Sequence, residues 1–538
     1  MALLLVWLML AWPAGPEEAQ TRTHSDARDP SADFPADPAV FEIPAERPKT
    51  QSLPGIPLPV PGEEAIAGEY TVFFEDASSM RAFIRRAGAA GLRILGVVDE
   101  FHAVRVGATA GQLRPLLGKG MTVDNNHRIE APELPDSESW PYARYRSFES
   151  EAMAFLGAGP LEDRLDWGEG ITIAVLDSGW TGHATIPEGR VRMIDLLGSP
   201  LAGQYAGHGT AVAGLVFSDD PFAPGIAPGS DILSIRVLDG EGRGDAFTLA
   251  EGILEAVRNG ADVINMSLGG YTDSRIVRAA VDYADSMGVV LVASSGNDGK
   301  GLVSYPAAYE SVIGVAAVDA DGNRAPFSNF GEGIDVAAPG YRVNALWSDD
   351  AFIYFDGTSA AAPLVAGMAA RILQSGQAAN PREVRDLIRE KANEAGVPGD
   401  DLYFGAGILN AQRIEETGLP GIYDLAVGDF YPALEEANGS HFPLYVIVEN
   451  RGTGFIPEAT VMVSLDGSNR IYRFSGLVPG KVEAIEIPVS IGDLAAGRNF
   501  DVQAVVVPAD GFEDVRPGNN LGGVNLVKTP ETGPPPGD

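Results

Sequence analysis

Between Ile171 and Asp319 the chain alternates short runs of apolar, β-branched residues with amphipathic stretches, and this alternation restricts the fold more than any other feature. The apolar runs are ITIAVLD (Ile171–Asp177), DILSIRVLD (Asp231–Asp239), ADVINMSLGG (Ala261–Gly270), VVLVASSGN (Val289–Asn297) and SVIGVAAVD (Ser311–Asp319). Between them lie TLAEGILEAVRNG, with Leu249, Ile253, Leu254 and Val257 on one face and Gly260 at its end, and RIVRAAVDYADSMG. A strand that is apolar throughout, rather than at every second residue, is covered on both faces, and parallel strands need crossover helices to join them. The expected fold is therefore an α/β domain over residues 150–415, its mostly parallel sheet covered by helices on both faces. Open sheets of this kind place their sites beyond the C-terminal ends of the strands.

Four short frames carry reactive residues to such positions. ITIAVLDSG ends a strand in Asp177, and VVLVASSGND ends another in Asn297. GHGTAVAG sets His208 between glycines at the head of a small-residue helix. GTSAAAPLVAG sets Ser359 at the head of a second one, where the alanines leave so little side chain that the helix must press closely on its neighbours. Pro363 is compatible with that helix only in its first turn. A serine hydroxyl becomes an effective nucleophile when a neighbouring base takes its proton, an imidazole can take and return one, and a carboxylate can hold the imidazole tautomer. His183, in WTGHATIP, is a rival to His208 but lacks the small-residue helix; His24 and His441 are weaker rivals.

The order Asp177, His208, Ser359 is the subtilisin order of a Ser-His-Asp triad, and from about Asp166 to Ile414 the chain resembles the catalytic domain of subtilisin-like serine proteases. The resemblance implies catalytic roles for Asp177, His208 and Ser359, and for Asn297 that of a side-chain oxyanion donor beside the Ser359 N–H. It also implies two edge segments that pair with substrate backbone: Gly242 with Arg243 and Gly244, and Ser267, Leu268 and Gly269 with Gly270. Ser304, in SYPAAY, would lie near the floor of the pocket for the P1 side chain (the residue before the cut bond). Its small size implies a roomy pocket that takes a large apolar P1 side chain, and with no acid evidently placed there to demand Lys or Arg the expected cleavage is broad. Ala211 and Leu364 stand where many relatives carry histidines, outside the triad. Val216–Pro228 is short for the family's strong calcium loop; Asp219, Asp220 and Asp319 are candidate oxygen ligands only. No cofactor is required for the chemistry, structural calcium stays unassigned, and no metal residue is named.

The remainder of the 538 residues reads as accessory segments. Residues 1–20 contain an apolar run, Ala2–Trp12, of the length of a secretory signal core, although no Lys or Arg precedes it. Residues 21–67 form a Pro-rich, acidic linker. Residues 68–132 give a βαββαβ order, resembling the inhibitory propeptide of subtilisin-like enzymes, which would act as an intramolecular inhibitor; the processing bond is not fixed by sequence. Residues 422–528 give seven alternating strands, an immunoglobulin-like β-sandwich resembling the CARDB-type domain, with surface or substrate tethering or a spacer role both open. Residues 529–538 are an expected disordered tail. Lys and Arg number 38 against 74 Asp and Glu, a net charge of −36 that disfavours nucleic acid as a partner. The chain has no cysteine, which excludes disulfides, thiolate metal sites and a cysteine nucleophile. The expectation is a secreted, self-processing serine endopeptidase acting on proteins or peptides. An inactive, adhesive protein and an esterase are the alternatives.

Overall fold

The computed structural model describes residues 5–6, 58–59, 62–133 and 145–528. The expected signal, most of the linker, the terminal tail and His24 lie outside these residues.

A seven-stranded sheet runs in the order Val336–Pro339, Val312–Val318, Val290–Ser294, Val263–Met266, Thr172–Asp177, Asp231–Arg236, Val191–Asp195. Every adjacent pair is parallel. In the strands Val290–Ser294 and Val312–Val318 every residue is buried, and because neighbouring side chains point to opposite faces, both faces are covered. Two helix pairs do this: His208–Phe217 packs with Thr358–Ser375, and Ala246–Arg258 packs with Arg275–Ser286. The long helix is buried without interruption from Thr358 to Ala370. It packs across the strands from Val336–Pro339 to Thr172–Asp177 as well as on the His208 helix. This is the close approach that its run of alanines permits.

Pro363 departs from expectation. It sits in the second turn of that helix, where it cannot donate to the carbonyl four residues earlier, that of Ser359. The freed Ser359 carbonyl instead accepts the Ser267 hydroxyl at 3.1 Å. A loss inside the helix is thus offset by a bond that ties the helix to the loop after Val263–Met266.

The N-terminal unit has the order strand Ala65–Phe74, helix Ala77–Ala89, strands Arg93–Val98 and Ala103–Gly107, a short helical segment Ala110–Leu116, and strand Met121–Glu130. Its first strand begins at Ala65, not Gly68. Gly68, at φ 77°, lies within a register shift between Ala65 and Tyr70 that breaks the alternation on which a sequence reading depends. Met80, Phe83 and Ala87 bury one face of the helix on a core of this unit's own. The sheet then gains a fifth strand from elsewhere: Met121–Glu130 pairs antiparallel with Arg243–Asp245. Asp245, which caps the helix Ala246–Arg258, also receives Asn126 at 3.0 Å and Arg105 at 2.9 Å.

The C-terminal unit is a sandwich. One sheet is Leu425–Pro432, His441–Asn450 and Val482–Ser490; the other is Leu521–Lys528, Phe500–Pro508, Ile456–Leu465 and Ser468–Leu477, with the two-residue strand Leu5–Val6 at its edge. Its core is separate from that of the α/β unit. A buried ion pair joins the two units, Arg413 to Glu449, with Arg451 on the second Glu449 oxygen at 3.0 Å. Glu394 lies beside it. Burial first, and then the charges of Glu449, Asp401 and Asp429, push its carboxyl up to about 8. A carboxyl raised above its unfolded value of ~4.3 leaves the folded state holding the extra proton, so its contribution is complete at low pH and is lost as pH rises through about 8. The expected result is that Glu394→Gln flattens the fall in thermal stability between roughly pH 5 and pH 8. Melting curves across that range check this, and an unchanged slope would count against it.

Candidate active site

Asp177 is the last residue of its strand, in the interior of the sheet between Val263–Met266 and Asp231–Arg236. Its carboxylate is fully buried. It accepts the Ser178 N–H at 2.6 Å and lies 2.8 and 3.0 Å from Nδ1 of His208. His208 opens its helix and is itself fully buried, with the Phe355 ring 5.2 Å and the Tyr205 ring 5.9 Å away. The glycine after it is required by space. A Cβ on Gly209 would stand 2.5 Å from the Gly179 carbonyl oxygen and 3.2 Å from the Asp177 Cβ, and the Gly209 N–H is bonded to the Ser178 hydroxyl at 3.0 Å. With Nδ1 beside the carboxylate, Nε2 is the free ring nitrogen, and among the described residues it has no hydrogen-bond partner.

Ser359 is the second residue of its helix and 1% exposed. Its hydroxyl donates to the Ser267 carbonyl at 3.5 Å, a long contact. Asn297 follows the strand Val290–Ser294. Its side-chain oxygen accepts both the N–H and the hydroxyl of Thr358 at 2.9 Å, which fixes the orientation of the amide. The NH₂ of Asn297 therefore points the other way, and donates to the carbonyl of Glu133 at 3.0 Å. Gly357 joins the parts. Its φ is 128°, and a Cβ there would stand 2.7 Å from Asn297 Nδ2. Gly357→Ala is expected to cost roughly 1–3 kcal/mol through backbone strain and to move the Asn297 amide, so that kcat falls more than the melting temperature alone would suggest. Paired melting and kinetic measurements check it; a variant with wild-type kcat would refute the placement.

The candidate substrate-binding residues line one cleft, and the chain's own residues 128–133 lie in it. Ile129 and Glu130 are paired with Gly244 and Arg243 on one side. Glu130 exchanges two 2.9 Å hydrogen bonds with Gly269 on the other, and the Ala131 N–H donates to the Gly242 carbonyl at 2.8 Å. Ser267 and Leu268 are buried behind Gly269. Ser304 is 4% exposed, and a Cβ on Gly269 would meet its hydroxyl at 2.7 Å, so the two sit back to back. The cavity here, about 280 Å³, is lined by Gly269, Gly270, Tyr271, Gly296, Asn297, Asp298, Lys300 and Ser304, together with Glu64, Arg128 and Glu130–Glu133.

His183 is occupied elsewhere, its ring nitrogens 2.9 Å from the Thr185 hydroxyl and 3.2 Å from the Ala351 carbonyl, and His441 lies exposed on a strand of the sandwich. Asp319 is buried and accepts the N–H groups of Asp321 and Asn323 in a turn; burial pushes its carboxyl up to about 6. Asp220 accepts the Phe222 N–H in another turn. Among the described residues no group of three or more His, Asp or Glu is arranged to hold a metal ion. Sequence reasoning missed Thr358, which orients Asn297, and Glu133, whose carbonyl Asn297 holds. Thr358 lay in view beside Ser359, whereas nothing local marks Glu133.

Residues 168–407 match the family model described as the Subtilase family. The chain is 35% identical to the thermostable alkaline protease of Halalkalibacterium halodurans, over 48% of this chain and 72% of that protein. It is 36% identical to subtilisin Savinase of Lederbergia lenta, over 46% and 90%. With subtilisin DY of Bacillus licheniformis the figures are 41% identity over 38% and 76%. Identity at this level over most of a relative's length, on a parallel sheet that sets a buried aspartate–histidine pair beside a strand-filled cleft, shows that the chain belongs to the subtilase family and is a subtilisin-like serine endopeptidase.

Proposed function

We propose that this endopeptidase is secreted as a zymogen and cuts peptide bonds with a triad of Asp177, His208 and Ser359 and an oxyanion hole of Asn297 and the Ser359 N–H. His208 Nε2 takes the Ser359 proton as the hydroxyl adds to the substrate carbonyl, and then returns it to the leaving amine. Asp177 holds the tautomer and stabilises the imidazolium. The observation that carries the reading is the Asn297 amide resting on a peptide carbonyl, that of Glu133, three residues after Glu130, which is paired on both sides. Residues 68–132 would be the inhibitor-type propeptide, 150–415 the catalytic domain and 422–528 the CARDB-type sandwich. An apolar P1 preference is supported by the glycine walls and small Ser304 of the cavity, where Asp298 and Lys300 pair with each other at 3.6 Å. Protein and peptide substrates follow from the activity. Tethering is proposed on the CARDB resemblance, and secretion on the apolar Ala2–Trp12 run. No helix of the described residues is long and apolar enough to cross a membrane.

Wild type and Ser359→Ala, purified side by side, test this. The wild-type chain is expected to shorten between Ile129 and Leu165 and to digest casein, while the variant stays full length and inert. A Ser359→Ala chain that still shortens alone and digests casein would overturn it.

A further inference from the structure

The two halves of the cleft hold the chain's own strand in registers that differ by one residue. On the pairing side, Glu130 and Gly269 exchange two hydrogen bonds, so an unbroken antiparallel ladder would next pair residue 132 with Ser267. Residue 132 is a proline and has no N–H to give. The Ser267 carbonyl takes the Ser359 hydroxyl instead, at 3.5 Å. Among the described residues Nε2 of His208 is buried without a hydrogen-bond partner, the Ser359 hydroxyl included. On the oxyanion side, the Asn297 amide holds not the carbonyl of Pro132 but that of Glu133. Glu133 is exposed and lines the cavity beside it.

From this we propose that Pro132 is a register break that makes residues 128–133 a slow self-substrate, cut on the carbonyl side of Glu133. The inference rests on the triad reading above. In the step itself the Ser359 oxygen bonds to the Glu133 carbonyl carbon, and its proton passes to His208 Nε2. The proton then goes to the nitrogen of the following residue as that C–N bond breaks. Water next hydrolyses the ester, leaving a carboxylate on Glu133 and the proton back on Ser359. The step is slow because attack first requires the Ser359 hydroxyl to leave the Ser267 carbonyl, and a nucleophile an ångström out of place can cost on the order of a hundredfold in rate. A residue at 132 with an N–H would take over the Ser267 carbonyl, free the hydroxyl for His208 and, by its own pairing, bring its carbonyl to the nucleophile.

The test compares full-length wild type, Pro132→Ala and Ser359→Ala, following conversion by intact mass and locating the C-terminus of the released N-terminal fragment. Wild type is expected to give a fragment ending at Glu133. Pro132→Ala is expected to convert about tenfold faster or more and to give a fragment ending at position 132. A wild-type fragment ending elsewhere, or a Pro132→Ala chain with wild-type rate and terminus, overturns the proposal. So does failure of both chains to convert at this strand while casein is still digested in a Ser359-dependent way, and that result leaves the triad reading standing. Casein digestion that persists in Ser359→Ala removes the triad reading itself.

Discussion

His208→Ala is expected to abolish peptide hydrolysis, lowering kcat by on the order of 10⁶, the magnitude known for the corresponding change in subtilisin and extended to this chain by family membership. The cause here is visible in the packing. Nδ1 lies beside a fully buried carboxylate and Nε2 is the remaining nitrogen of a ring packed between Phe355 and Tyr205, so the substitution removes the one imidazole that this carboxylate holds in place. The Asp177 carboxylate keeps the Ser178 N–H, and the helix behind His208 is held by its own buried residues, so the fold should survive. Circular dichroism and casein turnover measured together check this. A folded variant retaining a tenth of wild-type kcat would show that another group acts as the base.

Asn297→Ala is expected to lower kcat by roughly 10²–10³ with little change in KM, again the magnitude known for the equivalent donor in subtilisin. The amide is oriented by Thr358 through two 2.9 Å bonds, so it is fixed before substrate arrives and costs no reorganisation when charge develops on the carbonyl oxygen. Asn297→Asp separates the donor from the shape: it keeps the oxygen that Thr358 needs and replaces the NH₂ by an acceptor. Steady-state kinetics on a peptide substrate should show both variants impaired in kcat. A loss confined to KM would mean that Asn297 only binds substrate.

Much of this arrangement was legible in the sequence because its signals are local. Asp177 ends an apolar strand and Asn297 follows one, His208 and Ser359 stand at the heads of small-residue helices, and the βαββαβ and seven-strand orders follow from alternation and turn residues. What was not legible depends on residues far apart. Arg243–Asp245 extends the N-terminal sheet through partners more than a hundred positions upstream. Pro363 is tolerated in a second turn because Ser267, 92 residues before Ser359, supplies the missing donor. Glu133 looks like any acidic residue after a strand until Asn297 is brought to its carbonyl by a different unit of the chain. The Ala65 start of the first strand was hidden by a bulge at Gly68, where the period of two is interrupted.

The most direct measurement of the central claim is chemical. The converted, casein-digesting protein is treated with a serine-directed fluorophosphonate and the adduct is mapped by peptide mass, with His208→Ala treated in parallel. One adduct per chain is expected, on Ser359, together with loss of casein hydrolysis, and no adduct on His208→Ala. An adduct on any other residue, or full labelling of Ser359 with activity intact, would contradict the triad.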